Sequence, residues 1–99
     1  MNEVMINTQH HCLKLQANGI IRFVTLSEIV YLKADDNYTC FVLNDLSQYI
    51  MCKTLQNFET TLGYLFFRAH KSYLINTIYI RGINKRDYQK ILSSGEKLP

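Results

Sequence analysis

The stretch FFRAHKSYLIN, residues 66–76, constrains the fold and the surface chemistry of this chain more than any other. An apolar pair leads into the pattern Arg-x-His-Lys-Ser, and the apolar run that follows closes on Asn76. Two segments that favour burial therefore flank a short group of cationic and hydrogen-bonding side chains. Side chains of these types can reach phosphates and base edges. The stretch favours a binding module over an enzyme.

On the N-terminal side of this stretch, the sequence predicts an antiparallel meander. Apolar and polar residues alternate in short runs, and turn-forming residues such as Ala17-Asn18-Gly19 and Asp35-Asp36-Asn37 separate the runs. The predicted strands are Cys12–Gln16, Ile20–Val24, Ile29–Ala34, Tyr38–Leu43 and Gln48–Cys52.

One helix is predicted over about residues 54–62. Thr54 is a good N-cap residue, Leu55, Phe58 and Leu62 recur at helical spacing, and Gly63 supplies the stop. Further short strands are predicted near 67–70, 79–83 and 88–92. The expected fold is mostly β, with short antiparallel sheets and this single helix.

Length and composition indicate one globular domain. The chain has 99 residues, of which 47% are hydrophobic and 19% charged, enough for a modest core. Residues 1–63 hold four cations against six anions, a balance of −2, whereas residues 64–99 hold seven cations against two anions, a balance of +5. A basic C-terminal third fits a surface that binds a polyanion, although an ordinary solvated surface would have the same composition.

The sequence also indicates a reducing compartment. Three cysteines without CxxC spacing favour reduced thiols over disulfides, and Cys40 and Cys52 lie in runs that predict burial. No signal peptide is visible, and no apolar run approaches the roughly 20 residues of a membrane span. We therefore expect a cytoplasmic protein with no membrane partner, a flexible segment at residues 1–10 and a domain over 11–99.

Residues 29–99 resemble the LytTR domain, the DNA-binding output module of many bacterial response regulators. The matching pieces are IVYLKADDNY at 29–38, KTL at 53–55, FRAHKSYLIN at 67–76 and GEKLP at 95–99. The resemblance implies an elongated β-sandwich of small antiparallel sheets with the helix to one side. It also implies sequence-specific binding of double-stranded DNA by a bacterial two-component transcriptional regulator, through loops inserted into successive major grooves.

The resemblance assigns roles to particular positions. It places the first loop at Asp36-Asn37-Tyr38-Thr39, the second at His70-Lys71-Ser72, and a phosphate contact at Lys53. The family's third contact lies just past Lys-Leu-Pro, whereas this sequence stops at Pro99, so we expect a truncated chain or a missing contact. Lys97 borders that segment and is a candidate backbone contact. Because family members commonly bind paired sites, a homodimer on DNA also stays open.

The residues of the first loop have two interpretations of their own. Asn37 could present a donor and an acceptor to an adenine edge, and Tyr38 and Thr39 could donate to phosphate. Alternatively, Asp35-Asp36-Asn37 simply closes a hairpin, and its two carboxylates repel DNA.

The residues in and beside the second loop also have two interpretations each. His70 and Lys71 would point to opposite faces of a regular strand, so both can face DNA only at a strand end or in a loop, which Ser72 favours. His70 could instead be a structural histidine. Arg68 is a candidate phosphate contact, or the partner of a carboxylate such as Glu59.

Nothing in the sequence predicts catalysis. His10-His11-Cys12 is the nearest approach to a metal cluster, but three adjacent side chains converge poorly on one ion, and no second ligand group follows. No nucleophile or phosphate-loop signature is present. We expect no enzyme activity, no cofactor and no small-molecule substrate. The alternative function is a protein–protein interaction module on the same scaffold, with weakened or lost DNA readout.

Overall fold

The computed structural model describes residues 12–99, and most of them lie in short β-strands. The segment 1–10 that was predicted to be flexible lies outside this range. The strands are β1 Cys12–Ala17, β2 Ile20–Thr25, β3 Ile29–Asp35, β4 Tyr38–Leu43, β5 Gln48–Met51, β6 Phe66–His70, β7 Tyr73–Asn76, β8 Ile80–Asn84, β9 Gln89–Leu92 and β10 Lys97–Leu98.

The predicted helix is confirmed as α1, Leu55–Leu62. Its apolar stripe of Leu55, Phe58 and Leu62 is buried, and Gly63 ends it with a φ of 76° that favours glycine. Thr54 is the N-cap residue, but its hydroxyl makes no capping bond to the helix backbone and instead accepts a bond from Asn57 Nδ2 at 3.2 Å.

The strands form three antiparallel sheets. A central five-stranded sheet has the order β5-β4-β3-β7-β6, a three-stranded sheet has the order β10-β9-β8, and β1 and β2 form a separate hairpin. Asn18 and Gly19 both have positive φ in the β1–β2 turn, as expected for a tight Asn-Gly hairpin. The predicted turns and the antiparallel pairing of β1 with β2 and of β3, β4 and β5 are confirmed, but β2 does not pair with β3, so the five strands do not form one continuous meander.

The central sheet is covered on both faces. One face packs with the hairpin and α1 in a core that includes Leu13, Leu32, Phe41 and Phe58. The other face packs Tyr31 and Ile75 against Leu92 and Leu98 of the three-stranded sheet. Double coverage explains why β3 reads as a continuous apolar run at Ile29–Leu32 and does not alternate.

The layers give an elongated body of 42 × 29 × 23 Å, so the predicted mostly-β sandwich with one short helix is confirmed. The predicted burial of two thiols is confirmed only in part. Cys40 is half-buried and burial raises the pKa of its thiol, whereas Cys52 is exposed because β5 ends at the buried Met51 and the next side chain points outward.

Candidate nucleic-acid interface

Both predicted loops lie at one end of the central sheet. β3 and β7 are antiparallel neighbours, with Lys33 opposite Tyr73, and the Ala34 amide donates to the Ser72 carbonyl at 2.9 Å. The turn that leaves β3 therefore adjoins the turn that enters β7. Lys53 follows β5, whose Met51 pairs with Thr39 at the same end. We call Asp36–Tyr38, Lys53 and His70–Ser72 the turn end.

The first turn projects three of the predicted residues into solvent. Asp35 pairs with Tyr38, and Asp36 and Asn37 close the hairpin between them, with Asp36 at a φ of 58°. Asp36 and Asn37 are exposed, and 46% of Tyr38 is accessible. Asp35-Asp36-Asn37 therefore closes the hairpin, and the side chains of Asn37 and Tyr38 are still available to a ligand.

Thr39 corrects the first-loop prediction. Its side chain is fully buried, and its hydroxyl donates to the Lys53 carbonyl at 2.7 Å. Thr39 joins β4 to the segment before α1, which sets the position of Lys53, and its hydroxyl is unavailable to phosphate.

The second turn places His70 and Lys71 at a strand end, which is the condition for both side chains to face DNA. His70 is the last residue of β6, and Lys71 and Ser72 form the turn into β7. The Ser72 amide donates to His70 Nδ1 at 3.1 Å, so Nδ1 carries no proton and the imidazole hydrogen is on Nε2. His70 and Lys71 are both exposed, and together they present an N–H donor and an ammonium group.

Arg68 does not offer a vacant guanidinium. Nη1 contacts Glu59 Oε1 at 2.6 Å, which confirms the carboxylate-pairing alternative. Nε donates to the His70 carbonyl at 3.0 Å, and Nη2 donates to the Lys71 carbonyl at 2.8 Å. Arg68 therefore holds the second turn from behind, and we remove it from the candidate phosphate contacts.

The three-stranded sheet reaches the same region through a lysine that sequence reasoning did not single out. Lys90 Nζ donates to the Ala69 carbonyl at 3.1 Å, one residue before His70. Lys90 pairs with Leu98, so the exposed Lys97 is next to this contact along β10. A lone lysine in a strand has no sequence signal that distinguishes a tertiary contact from a solvated side chain.

The opposite end of the sheet is built from polar groups that bond to each other. Asn76 is buried, and its amide donates to the Leu26 and Ile29 carbonyls at 3.1 and 2.8 Å and accepts from the Ile78 amide at 3.2 Å. Asn76 is therefore a backbone-capping residue whose amide group is occupied within the fold.

Arg22 is the second polar centre of that opposite end. Its guanidinium contacts Asp45 at 3.1 Å and Glu28 at 3.4 Å. Its bond to the Tyr49 hydroxyl, followed by the bond to Asp45, raises the pKa of Arg22 above its ordinary value. We call Arg22, Glu28, Asn44–Ser47 and Asn76 the anchored end.

Residues 12–99 contain neither a metal-binding cluster nor a membrane-spanning helix. Within that range, no three His, Cys, Asp or Glu side chains are grouped so that they could hold a metal ion. His10 and His11 of the weighed metal cluster lie outside it. No helix of the described part is long and apolar enough to span a membrane.

A family model described as the LytTr DNA-binding domain matches residues 19–99. The chain belongs to the LytTR family. A solved structure, the LytTr DNA-binding domain of a protein described as a methyl-accepting/DNA response regulator from Bacillus cereus, superposes with a TM-score of 0.80 at 25% identity, covering 90% of this chain and 84% of that one. A search among curated proteins finds no match. This LytTR domain is thus a DNA-binding fold of the response-regulator type and not a catalytic fold.

Proposed function

We propose that this LytTR domain is the DNA-binding part of a cytoplasmic bacterial transcriptional regulator, reading a specific sequence by inserting its two turns into successive major grooves. The observation that carries the proposal is the convergence of both turns and Lys53 at one end of the central sheet. A single face can then meet one side of a duplex.

The proposed contacts divide into readout and positioning. Lys71 and the Nε2–H of His70 are donors that suit the acceptor-rich edge of guanine, and Asn37 suits adenine. Tyr38, Ser72, Lys53 and Lys97 would donate to phosphate oxygens, which fix the register of the protein on the duplex. Asp36 lies in the first turn and Asp35 next to it, so the neutralisation of phosphate charge depends on the lysines.

Selection of bound duplexes from a random library tests the proposal. We expect the wild-type chain to enrich a short motif and Lys71→Ala to lose about 1–3 kcal/mol of affinity for it, as expected for a base-reading contact. Arg81→Ala is the matched control, because Arg81 is an exposed cation on β8 beside Ile80, which pairs with Leu92 away from the turn end. Equal loss in both variants would contradict readout by Lys71.

Salt titration of the selected complex measures the phosphate component. If four to six phosphates are engaged, log K should fall against log salt with a slope of roughly −4 to −5. A slope near zero, or the absence of any enriched motif at low salt, would overturn the proposal and favour the protein-interaction alternative.

The β1–β2 hairpin supports a second proposal, a homodimer for binding paired sites. Among the described residues β2 pairs only with β1, and it exposes 67% of Ile20 and 65% of Phe23. An unpaired strand edge can pair with the same edge of a second copy about a two-fold axis. Sedimentation equilibrium should show a dimer that Phe23→Lys dissociates, whereas a wild-type monomer at all concentrations would overturn this proposal.

A further inference from the structure

The contacts of Arg68 connect the helix to the second turn. Its guanidinium donates to the His70 and Lys71 carbonyls on one side and to Glu59 on the other. Arginine presents these donors in a rigid planar fork, so the carboxylate sets where the two carbonyls can lie. Glu59 is carried by α1, which Phe58 and Leu62 fix in the core.

The backbone of β6 needs such support. The ladder between β6 and β7 pairs Arg68 with Leu74 but His70 with Tyr73, so Ala69 is an extra residue on the β6 side. A bulge of this kind interrupts the ladder and redirects the side chains beside it. His70 and Lys71 therefore project from a segment whose regular strand hydrogen bonding has been interrupted, and Arg68 bonds to the carbonyls of both.

We propose that the Glu59–Arg68 ion pair is a positioning device that holds the His70–Lys71 turn in the conformation that reads the DNA sequence. The proposal rests on the proposed function. Glu59 touches no base and no phosphate in this scheme, and it acts only through Arg68. A turn held within a fraction of an ångström places its side chains to distinguish one base pair from another. A more mobile turn still contacts phosphate but distinguishes base pairs poorly.

Glu59→Gln separates positioning from simple electrostatics. If Arg68 were a phosphate contact, removing an anion beside it would strengthen binding to every duplex and steepen the salt slope. Positioning predicts the opposite for the selected motif. We expect the ratio of specific to non-specific affinity to fall roughly tenfold, the scale of one misread base pair, with the salt slope unchanged.

Two further variants complete the test. Arg68→Lys keeps the charge but loses the fork, and we expect the same loss of specificity ratio. Glu96→Gln is the matched control: it removes the same charge from a carboxylate that accepts from the Tyr31 hydroxyl, and it should leave the ratio unchanged. Circular-dichroism melting checks that each variant is folded. An unchanged ratio in folded Glu59→Gln and Arg68→Lys would overturn the proposal, as would a ratio preserved in Arg68→Ala with a salt slope shallower by about 1.

An NMR measurement on the free protein tests the positioning role of the ion pair without DNA. Backbone order parameters of residues 70–72 should be about 0.85 in the wild type and below about 0.6 in Glu59→Gln. If the wild type enriches no motif, the proposed function fails by itself, and the order parameters still decide whether the ion pair holds the turn. Equal order parameters in both chains would overturn the positioning role.

Discussion

Two arginines at opposite ends of the central sheet form ion pairs with different consequences. At the anchored end, Arg22 bonds only to side chains in the contacts described, namely Glu28, Asp45, Ser47 and Tyr49. At the turn end, Arg68 uses one contact for Glu59 and two for backbone carbonyls of a turn. The first arginine joins separate elements to each other, and the second shapes one turn whose own side chains stay exposed.

The difference indicates how this domain divides stability from recognition. At the anchored end the polar groups satisfy each other: Asn76 caps buried backbone, and Asn44 Nδ2 donates to the Tyr79 hydroxyl at 3.3 Å. At the turn end the support comes from behind, through Thr39 and Arg68, and the outward-facing Lys71 and Asn37 are left for a ligand. Substitutions should therefore lower folding stability at one end and DNA readout at the other.

The largest expected effect on stability is at the anchored end, in Asn76→Ala. The variant leaves the Leu26 and Ile29 carbonyls without their donor in a buried site, so we expect the free energy of unfolding to fall by about 2–4 kcal/mol. Urea denaturation measures it. Asn57→Ala is the control, because Asn57 is exposed on α1 and its loss should cost no more than about 0.5 kcal/mol. Similar losses in the two variants would contradict the contrast between the ends.

The anchored end should also dominate acid unfolding. Bonds from the Ser47 hydroxyl and amide, and then from Arg22, lower the pKa of Asp45 to about 2, and the Thr25 amide, followed by the Thr25 hydroxyl and Arg22, lowers the pKa of Glu28. Both groups have lower pKa values folded than unfolded, so their stabilisation is complete above about pH 4.5 and is lost as the pH falls toward 2.

Urea titrations between pH 5 and 2 measure this dependence. We expect the wild-type free energy of unfolding to fall with pH, and Asp45→Asn and Ser47→Ala to flatten the fall, because the first variant removes the carboxylate and the second removes its main donor. Asn57→Ala should keep the wild-type profile. A wild-type profile in Asp45→Asn would show that the Arg22 cluster does not drive acid unfolding.

Local patterns in the sequence predicted most of the helices and strands at the two ends, but not the tertiary contacts between them. Period-two alternation and turn residues located eight of the ten strands in the described residues to within about two residues, as in Cys12–Gln16 predicted and Cys12–Ala17 observed. The strands β7 and β10 were not predicted. The pairing of β3 with β7, which brings the two turns together, joins segments some forty residues apart and has no local signal. The family resemblance assigned both turns to DNA contact but did not predict this pairing.

Two predicted DNA contacts at the turn end, Thr39 and Arg68, bond within the protein instead, and only the burial of Thr39 had a local signal in the sequence. Thr39 was assigned to DNA, yet the alternation of Thr39, Phe41 and Leu43 puts it on the core face, where its hydroxyl needs a buried acceptor. That signal was in the sequence. For Arg68, sequence reasoning allowed both a phosphate and a carboxylate partner, because the distance to Glu59 depends on how α1 packs against β6.

Among the ion-paired and capping residues compared at the two ends, the smallest expected stability effect is in Arg68→Ala. The Arg68 and Glu59 side chains are 30% and 42% exposed, so water screens the ion pair, and the free energy of unfolding should fall by no more than about 1 kcal/mol. The specificity ratio should nevertheless fall as in Glu59→Gln, because the turn carbonyls have lost their donors. Urea denaturation and duplex binding on the same preparation measure both quantities. A loss above about 2 kcal/mol would make Arg68 a structural residue of the same kind as Asn76, and the division between an anchored end and a turn end would then fail.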